Sequence, residues 1–331
     1  MHSAPPMARA GLMAVVIVIV QGLLVAWFGW PATHLEPRDV PIVVVAPAPV
    51  AQQITDRLNG VRPGAFKIST VADEAAADAA IRDRVAYAAF VVGPTGASLH
   101  LASAASPTVA ALLSQAATQA SGGAVPLQVK DIVPAPAEDA RGAGFASGFL
   151  PLVLTSLIVG ALLGVVIRKR GARLFGVVTY AVLAGFAGAA VLHWLGALGG
   201  DYVADAGVVG LLALAVAGSV TGLAALLGPA GAGLGALLIF VLGNPISGVA
   251  AAPELLPKPW GEAGQWLPPG AGATLLRSVS FFDGASGMTA AWVLAGWAAA
   301  GLLLIAVSRS RGSAQIGTES EAQAREPVPA V

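Results

Sequence analysis

Apolar residues lie in six blocks separated by polar or proline-rich segments. None of the blocks contains Asp, Glu, Lys or Arg, and each has about the 20 residues that a helix needs to cross the hydrocarbon core of a bilayer. The pattern therefore predicts an α-helical polytopic membrane protein with six transmembrane helices. The helices are expected at residues 12–30, 145–167, 174–195, 206–228, 231–250 and 288–308.

The first block also has some features of a secretory signal peptide, because Arg9 supplies a positive flank. However, the apolar run from Leu12 to Trp30 is longer than the usual h-region of about 7–15 residues, and no small-x-small cleavage site follows it. We favour an uncleaved anchor. Residues 1–30 are then a short N-terminus followed by the first transmembrane helix.

Between the first two blocks, residues 31–143 change periodicity repeatedly and hold ten acidic and eight basic residues. Their order, β-α-β-α-β-β-α-β, predicts one inserted small α/β domain with helices packed on a single sheet. Asp73 and Glu74 suit the start of its second helix, and Ser106 precedes a proline at the start of its third. The elements are expected at residues 41–46, 50–58, 65–70, 73–85, 86–92, 97–102, 107–120 and 126–133.

The basic residues predict how the chain is oriented in a bacterial cytoplasmic membrane. Outside residues 31–143 there are ten Lys or Arg, and eight of them lie on one side if the N-terminus is cytoplasmic. This bias places both termini in the cytoplasm, the α/β domain outside, and a disordered cytoplasmic tail at 309–331. The eight are Arg9, Arg168, Lys169, Arg170, Arg173, Arg309, Arg311 and Arg325.

Composition narrows the classes of function. Only 11% of residues are charged, which is too few for an ordinary soluble domain. Eighteen acidic residues balance eighteen basic ones, so the chain lacks the basic excess of a nucleic-acid-binding protein. The expected partner is the lipid bilayer. The predicted spans hold no charged residue, which gives little support for an ion-coupled carrier or a channel.

Residues 31–143 offer few groups for catalysis or metal binding. The chain has no Cys, no P-loop, no G-x-S-x-G and no H-E-x-x-H, so we expect no enzyme, no cofactor and no metal. The two histidines of this region are more typical of solvated or hydrogen-bonded residues than of ligands. The acidic cluster on the second helix favours a salt-bridged face over a cation site, because basic residues follow it. These residues are His34, His100, Asp73, Glu74, Asp78, Arg82 and Arg84.

Residues 251–287, between the last two predicted spans, are rich in proline and tryptophan. Prolines at this density break regular helix, although residues 271–282 keep an apolar helical face. The segment is either re-entrant, and then a candidate gate, or a surface loop with an interfacial helix, and the sequence leaves both open. The candidate gate residues are Asn244, Pro245, Pro257, Trp266, Pro268 and Arg277.

Glycine spacing marks possible helix contacts. Gly144 and Gly148, and Gly160 and Gly164, have the small-xxx-small spacing that lets helices approach closely in lipid. A mobile or dimeric helix interface would use them. A coding bias towards Ala and Gly explains the spacing equally well.

The chain resembles the membrane subunits of ABC-2-type exporters, in particular the YhgE/phage-infection-protein-like branch. The layout is similar: one N-terminal span, an extracytoplasmic domain, then the remaining spans. The local similarities are GFASGFLPLVL at 144–154, Asn244-Pro245, Leu256-Pro257, Trp266-Leu267-Pro268 and residues 271–277.

The resemblance implies a permease subunit that dimerises and is energised by a separate cytoplasmic ATPase, exporting a hydrophobic or amphipathic substrate. Within it, the basic loop is the expected ATPase contact, although four basic residues also suffice simply to fix topology. That loop holds Arg168, Lys169, Arg170 and Arg173. The alternative is a non-transporting envelope scaffold, receptor or accessory protein whose external domain binds a partner.

Overall fold

A computed structural model describes residues 6–93, 96–120 and 128–308, with Val61, Gln119 and Ala120 described by their backbone only. The expected tail at 309–331, with its three arginines, lies outside the described residues, as do residues 1–5. Within the described part, five helices are long and apolar enough to cross a membrane, which is consistent with a membrane protein. They are α1 (Pro6–Thr33), α5 (Ala143–Val166), α6 (Arg170–Trp194), α7 (Tyr202–Leu227) and α11 (Met288–Val307).

The sixth expected span, at 231–250, is not confirmed. The chain there forms α8 (Pro229–Ala236), continues as a π-helical turn (Leu237–Leu242), and then leaves the helix. Its 14 residues rise about 21 Å, less than the roughly 30 Å of a bilayer core. Pro245 explains the end, because proline disfavours helical geometry at Asn244 and has no N–H to donate.

Helix α7 is the centre of the bundle, with α5, α6, α8, α11 and α10 (Pro268–Phe282) packed around it. The helices approach closely because glycines of one helix face the backbone of its neighbour. A Cβ on Gly160 of α5 would lie 2.8 Å from the carbonyl oxygen of Ala217, and one on Gly185 of α6 would lie 2.5 Å from that of Ala206. Gly160 and Gly164, whose spacing suggested a mobile or dimeric interface, are used for packing within one chain.

Helix α1 stands apart from this bundle. Residues 6–26 are all exposed, and its contacts are at its C-terminal end. There Trp27 Nε1 donates to the carbonyl oxygen of Val241 at 2.6 Å, and the ring of Phe28 lies 5.9 Å from that of Phe240. The helix is therefore attached to the π-helical turn and not to the bundle core.

Residues 34–133, here called the α/β unit, contain a five-stranded mixed sheet in the order β2-β1-β3-β4-β5. Strand β1 is parallel to β2 and β3, β4 is antiparallel to β3, and β5 is parallel to β4. The predicted order of strands and helices is confirmed. The elements are β1 (Val40–Val45), α2 (Ala48–Val61), β2 (Phe66–Thr70), α3 (Glu74–Arg82), β3 (Ala88–Gly93), β4 (Gly96–Leu101), α4 (Pro107–Ala120) and β5 (Gln128–Asp131).

The predicted helix starts also appear. Asp73 Oδ1 accepts the N–H of Ala76 at 2.8 Å, and Ser106 Oγ accepts that of Val109 at 3.3 Å. These caps satisfy N–H groups that have no partner within the helix. Helices α2 and α4 then cover one face of the sheet, and α3 covers the other.

The segment before α11 joins the bundle to the α/β unit. It includes a 3₁₀ turn (Pro253–Leu255), the short α9 (Trp260–Gly264) and α10 (Pro268–Phe282). Twelve of the 15 residues of α10 are buried, so both faces of this helix are covered by protein. Leu276 belongs to the bundle core and Phe282 to the core below the sheet, so α10 belongs to both cores.

Candidate functional site at the junction of the sheet and the helices

A cavity of about 750 Å³ lies between the α/β unit and residues 253–274. We call it the junction cavity. Its lining combines cationic and anionic side chains with one phenol, which is the composition of a site for a polar or charged group. The charged lining residues are Arg38, Asp39, Lys67, Arg84, Glu254, Lys258 and Glu262.

One wall of the junction cavity is a short backbone pairing between two distant parts of the chain. The N–H of Glu36 donates to Leu255 O at 3.0 Å, and the N–H of Arg38 donates to Glu254 O at 2.9 Å. Arg38 Nη1 adds a bond to Leu255 O at 2.8 Å, and Lys258 pairs with Asp39. The 3₁₀ turn and Lys258 are therefore fixed to the segment that leads into β1, by both backbone hydrogen bonds and charge.

Half-buried polar groups line the junction cavity between β3 and α10. Tyr87 Oη donates to Glu254 Oε2 at 2.8 Å, and burial together with this carboxylate raises the pKa of Tyr87. Arg84 Nη1 donates to Thr274 O at 3.1 Å, and its guanidinium lies 5.3 Å from the ring centre of Phe282. Burial lowers the pKa of Arg84, but an arginine stays protonated at neutral pH.

Arg84 also has a backbone φ of 56°, in the left-handed region that bulky residues disfavour. Such a conformation persists only where the surroundings fix it. Here the bond to Thr274 and the ring of Phe282 supply that restraint, since both belong to α10. The sequence suggested Arg84 as part of a solvated face on α3, and this placement is wrong: the side chain faces α10.

Arg277 is a buried cation with carbonyl partners. It donates to Gly248 O and Val249 O, and its guanidinium lies 4.6 Å from the ring centre of Phe145. Burial lowers its pKa to about 10, so the charge persists at neutral pH. Among the described residues it has no carboxylate within ion-pair distance. It fixes the irregular chain that follows α8 to α10 and α5.

The other proposed gate residues are placed around this point but not in one group. Asn244 and Pro245 are half-buried at the end of the π-helical turn, three residues before the carbonyls that Arg277 binds. Pro257 and Pro268 are buried. Trp266 is 67% exposed, and its carbonyl accepts Trp297 Nε1 at 2.9 Å on the outer side of α11.

Sequence reasoning missed an ionisable pair beside α10. Asp205 lies in the first turn of α7 and is fully buried. Its Oδ2 lies 2.8 Å from His193 Nε2 and accepts a hydrogen bond from Ser280 Oγ at 3.2 Å. Its Oδ1 has no partner within the described part of the chain. Asp201, which caps α7 through the N–H of Ala204, was the signal that the helix begins before residue 206.

The proposed ATPase-contact loop is short. Only residues 167–169 separate α5 from α6, and Arg168 and Lys169 are exposed. Arg170 Nη1 donates to Ala306 O at 2.8 Å. Arg173 is buried, and donates to Ile167 O at 2.6 Å and to Gly164 O at 3.0 Å. It caps the end of α5, so Arg168 and Lys169 are the more accessible part of the loop.

The acidic cluster of α3 is salt-bridged, as the sequence favoured, although its closest partners are His100 and Lys130 and not the arginines that follow it. Asp78 Oδ1 lies 2.5 Å from Nδ1 of the buried His100, and Lys130 Nζ lies 3.1 Å from Glu74 Oε1 and 3.3 Å from Asp78 Oδ2. Burial of Asp78 opposes ionisation, but the hydrogen bonds from His100 and Lys130 outweigh it and lower the pKa of Asp78. Glu74, Asp78 and His100 are close enough to ligate a metal, yet Lys130 already pairs with both carboxylates.

Comparison with known proteins gives no relative for this architecture: no family model, no curated protein and no solved structure matches the chain.

Proposed function

We propose that the chain is the membrane permease subunit of an exporter for hydrophobic or amphipathic substrates, energised by a separate ATPase in the manner of the ABC-2-type exporters that it resembles in sequence. The observation that carries the proposal is the double membership of α10. One buried helix contacts the central α7, the irregular chain after α8, and the α/β unit.

This arrangement suits the transmission of movement. The N-terminal half of α10 packs on Leu212 and Phe149, and its C-terminal half contacts Arg84 and Gly200. A shift of α5 or α7 would move α10 as a unit, because packed helices move as rigid bodies. The junction cavity lies beside α10 and would change shape in the same step.

The contacts of the Arg277 guanidinium are more typical of a hinge than of a fixed structural contact. Its partners are two carbonyls and an aromatic face, which are weaker than a buried carboxylate pair. We infer that the contacts of Arg277 with Gly248 and Val249 break and re-form when the substrate route opens. This gives the candidate gate a chemical basis.

Because the chain has no cysteine, the proposed movement can be tested by a clean engineered disulfide. Ser286 Oγ donates to Asp83 O at 2.8 Å, linking the end of α10 to the α/β unit. The double variant Asp83→Cys/Ser286→Cys, oxidised in vesicles with the partner ATPase, should lose transport and regain it on reduction. Full transport by the oxidised protein would disprove movement between α10 and the α/β unit.

The ATPase contact is tested separately. Affinity purification from the native membrane should recover an ATPase, and Arg168→Glu/Lys169→Glu should lose it. Arg141→Glu is the matched control, since Arg141 is an exposed arginine before α5, at its other end. Recovery that does not change in the double variant would reject this contact loop.

The second candidate is a non-transporting envelope receptor or scaffold. It is favoured by the position of the junction cavity, which is lined by the α/β unit and residues 253–274 and by none of the five long helices. A chain that recovers no ATPase from the membrane and stimulates none in vesicles would support the receptor and reject the exporter.

A further inference from the structure

Helices α2 and α4 leave a crevice between them on one face of the sheet. Helix α2 packs on β2 and α4 packs on β4, and β1 and β3 lie between these two strands. Three inter-strand spacings amount to about 14 Å, whereas directly packed helices have their axes about 8–10 Å apart. The two helices are therefore too far apart to close over β1.

The crevice is a cavity of about 450 Å³, which is within the range of small-molecule sites. We call it the α2–α4 cavity. Its walls are apolar: Val40 and Phe66 come from the sheet, and Leu112 and Leu113 from α4. Leu255, from the 3₁₀ turn, closes its inner end. A hydrocarbon chain would gain favourable burial against these side chains.

The charged residues of the α2–α4 cavity are all of one sign. Arg57 and Arg62 line it at the C-terminal end of α2, and no acidic side chain is among its described lining residues. Both arginines are exposed, and neither forms an ion pair with a described residue. Helix α4 carries no charged residue. An apolar crevice with two free guanidinium groups matches a ligand with a hydrocarbon chain and an anionic head.

We propose that the α2–α4 cavity binds a single-chain amphiphile whose carboxylate or phosphate head is held by Arg57 and Arg62. The ligand would contact Leu255, whose neighbour Glu254 lines the junction cavity. Binding of a ligand in the α2–α4 cavity would therefore change the contacts of the 3₁₀ turn that joins the sheet to α10. This site goes beyond the transport proposal, because binding requires neither an ATPase nor substrate movement.

The test uses the full chain in phosphatidylcholine nanodiscs. The photo-crosslinking probe is dodecanoate that carries a terminal diazirine. Peptide mapping should place the label on α2 and α4. Unlabelled dodecanoate and dodecyl phosphate should compete with the probe, whereas dodecanol and dodecyltrimethylammonium should not. Label confined to the five long helices, or equal competition by dodecanol, would overturn the proposal.

Two pairs of variants separate binding from folding. Arg57→Gln/Arg62→Gln should reduce labelling about fivefold, since two exposed charge-assisted contacts are lost, and Arg141→Gln should not. Ala116→Trp should fill the mouth of the α2–α4 cavity and reduce labelling, while Ala111→Trp, at an exposed position of α4 outside the cavity lining, should leave it unchanged. Equal labelling across either pair would overturn the proposal even if every variant folds.

Discussion

Helices α7 and α1 are both long and apolar enough to cross a membrane, yet their surroundings are opposite. Of the 18 most apolar consecutive residues of α7, 72% are buried by the rest of the protein, whereas none of those of α1 are buried. The difference follows residue size. Helix α7 is rich in Ala and Gly, and α1 presents a run of Val and Ile from Val15 to Val20.

The comparison shows what holds this membrane region together. Lipid tails are as apolar as a leucine side chain, so burial alone gives little advantage to helix contacts in a bilayer. Small residues allow backbones to approach, and dispersion contacts then accumulate. The branched side chains of α1 keep neighbours at a distance, and its contacts lie at its C-terminal end, at Trp27, Phe28 and the buried Pro31.

The largest effect is expected from filling a close contact on α7. A Cβ on Gly222 would lie 2.6 Å from Leu304 Cβ and 2.8 Å from Gly301 O, so Gly222→Val should destabilise the protein by about 3 kcal/mol. Gly207→Val on the same helix and Gly22→Val on α1 meet nothing within 4 Å. Thermal unfolding in detergent measures all three. A loss of stability in the controls equal to that of Gly222→Val would break the comparison.

A somewhat smaller effect is expected where a charge ends a helix that packs on α7. Arg173→Met removes the donors to Ile167 O and Gly164 O, which should cost about 2 kcal/mol. Arg168→Met, in the exposed link to α6, should change the unfolding midpoint little. If the two variants melt alike, the cap at the end of α5 contributes nothing.

A third prediction concerns the hydrogen bond that attaches the C-terminal end of α1. Trp27→Phe removes the bond to Val241 O and should cost about 1 kcal/mol, felt at α1 and not in the bundle. Disulfide yield in Phe28→Cys/Phe240→Cys should fall in the Trp27→Phe background. Leu23→Ala, at a 66% exposed position of α1, is the control and should keep the yield. An unchanged yield with Trp27→Phe would mean that other contacts hold α1.

The smallest effect is expected in the α/β unit. The prediction is that acid destabilises this unit through protonation of Asp78. The pKa of Asp78 is lowered in the folded state, so its stabilising contribution is complete well above the unfolded value of about 3.9 and is lost as pH falls through the folded value. Asp78→Asn keeps an acceptor oxygen, so it should cost only about 0.5–1 kcal/mol at neutral pH and flatten the stability curve below about pH 4. Asp56→Asn, exposed on α2, is the control. A variant with the wild-type acid profile would assign the loss to another group.

Local signals predicted the α/β unit well. Prolines, caps and alternating apolar runs specify where strands and helices begin, and those signals act within a few residues. Position along the chain does not predict contacts across it. Arg84 follows α3 in sequence but binds Thr274 of α10, and Asp205 pairs with His193 only because α6 and α7 are antiparallel neighbours.

Apolarity and length predicted six spanning helices, and the described part of the chain has five that are long enough. Pro245 indicates in retrospect why the sixth is short. The candidate gate was identified as an unusual segment, but neither its burial nor the carbonyl partners of Arg277 were readable from it. The reason is physical. The density of prolines indicates where a helix ends. It does not indicate which parts of the protein pack over the chain that follows.

The sequence by itself determined the approximate positions of five long apolar helices, the order of the α/β elements and the absence of cysteine chemistry. The tertiary structure decided that α7 is central and α1 peripheral, that α10 belongs to two cores, and that two cavities flank the turn at Glu254 and Leu255. Hydropathy cannot distinguish lipid from protein interior, because both are apolar. Only the packing of specific neighbours separates them.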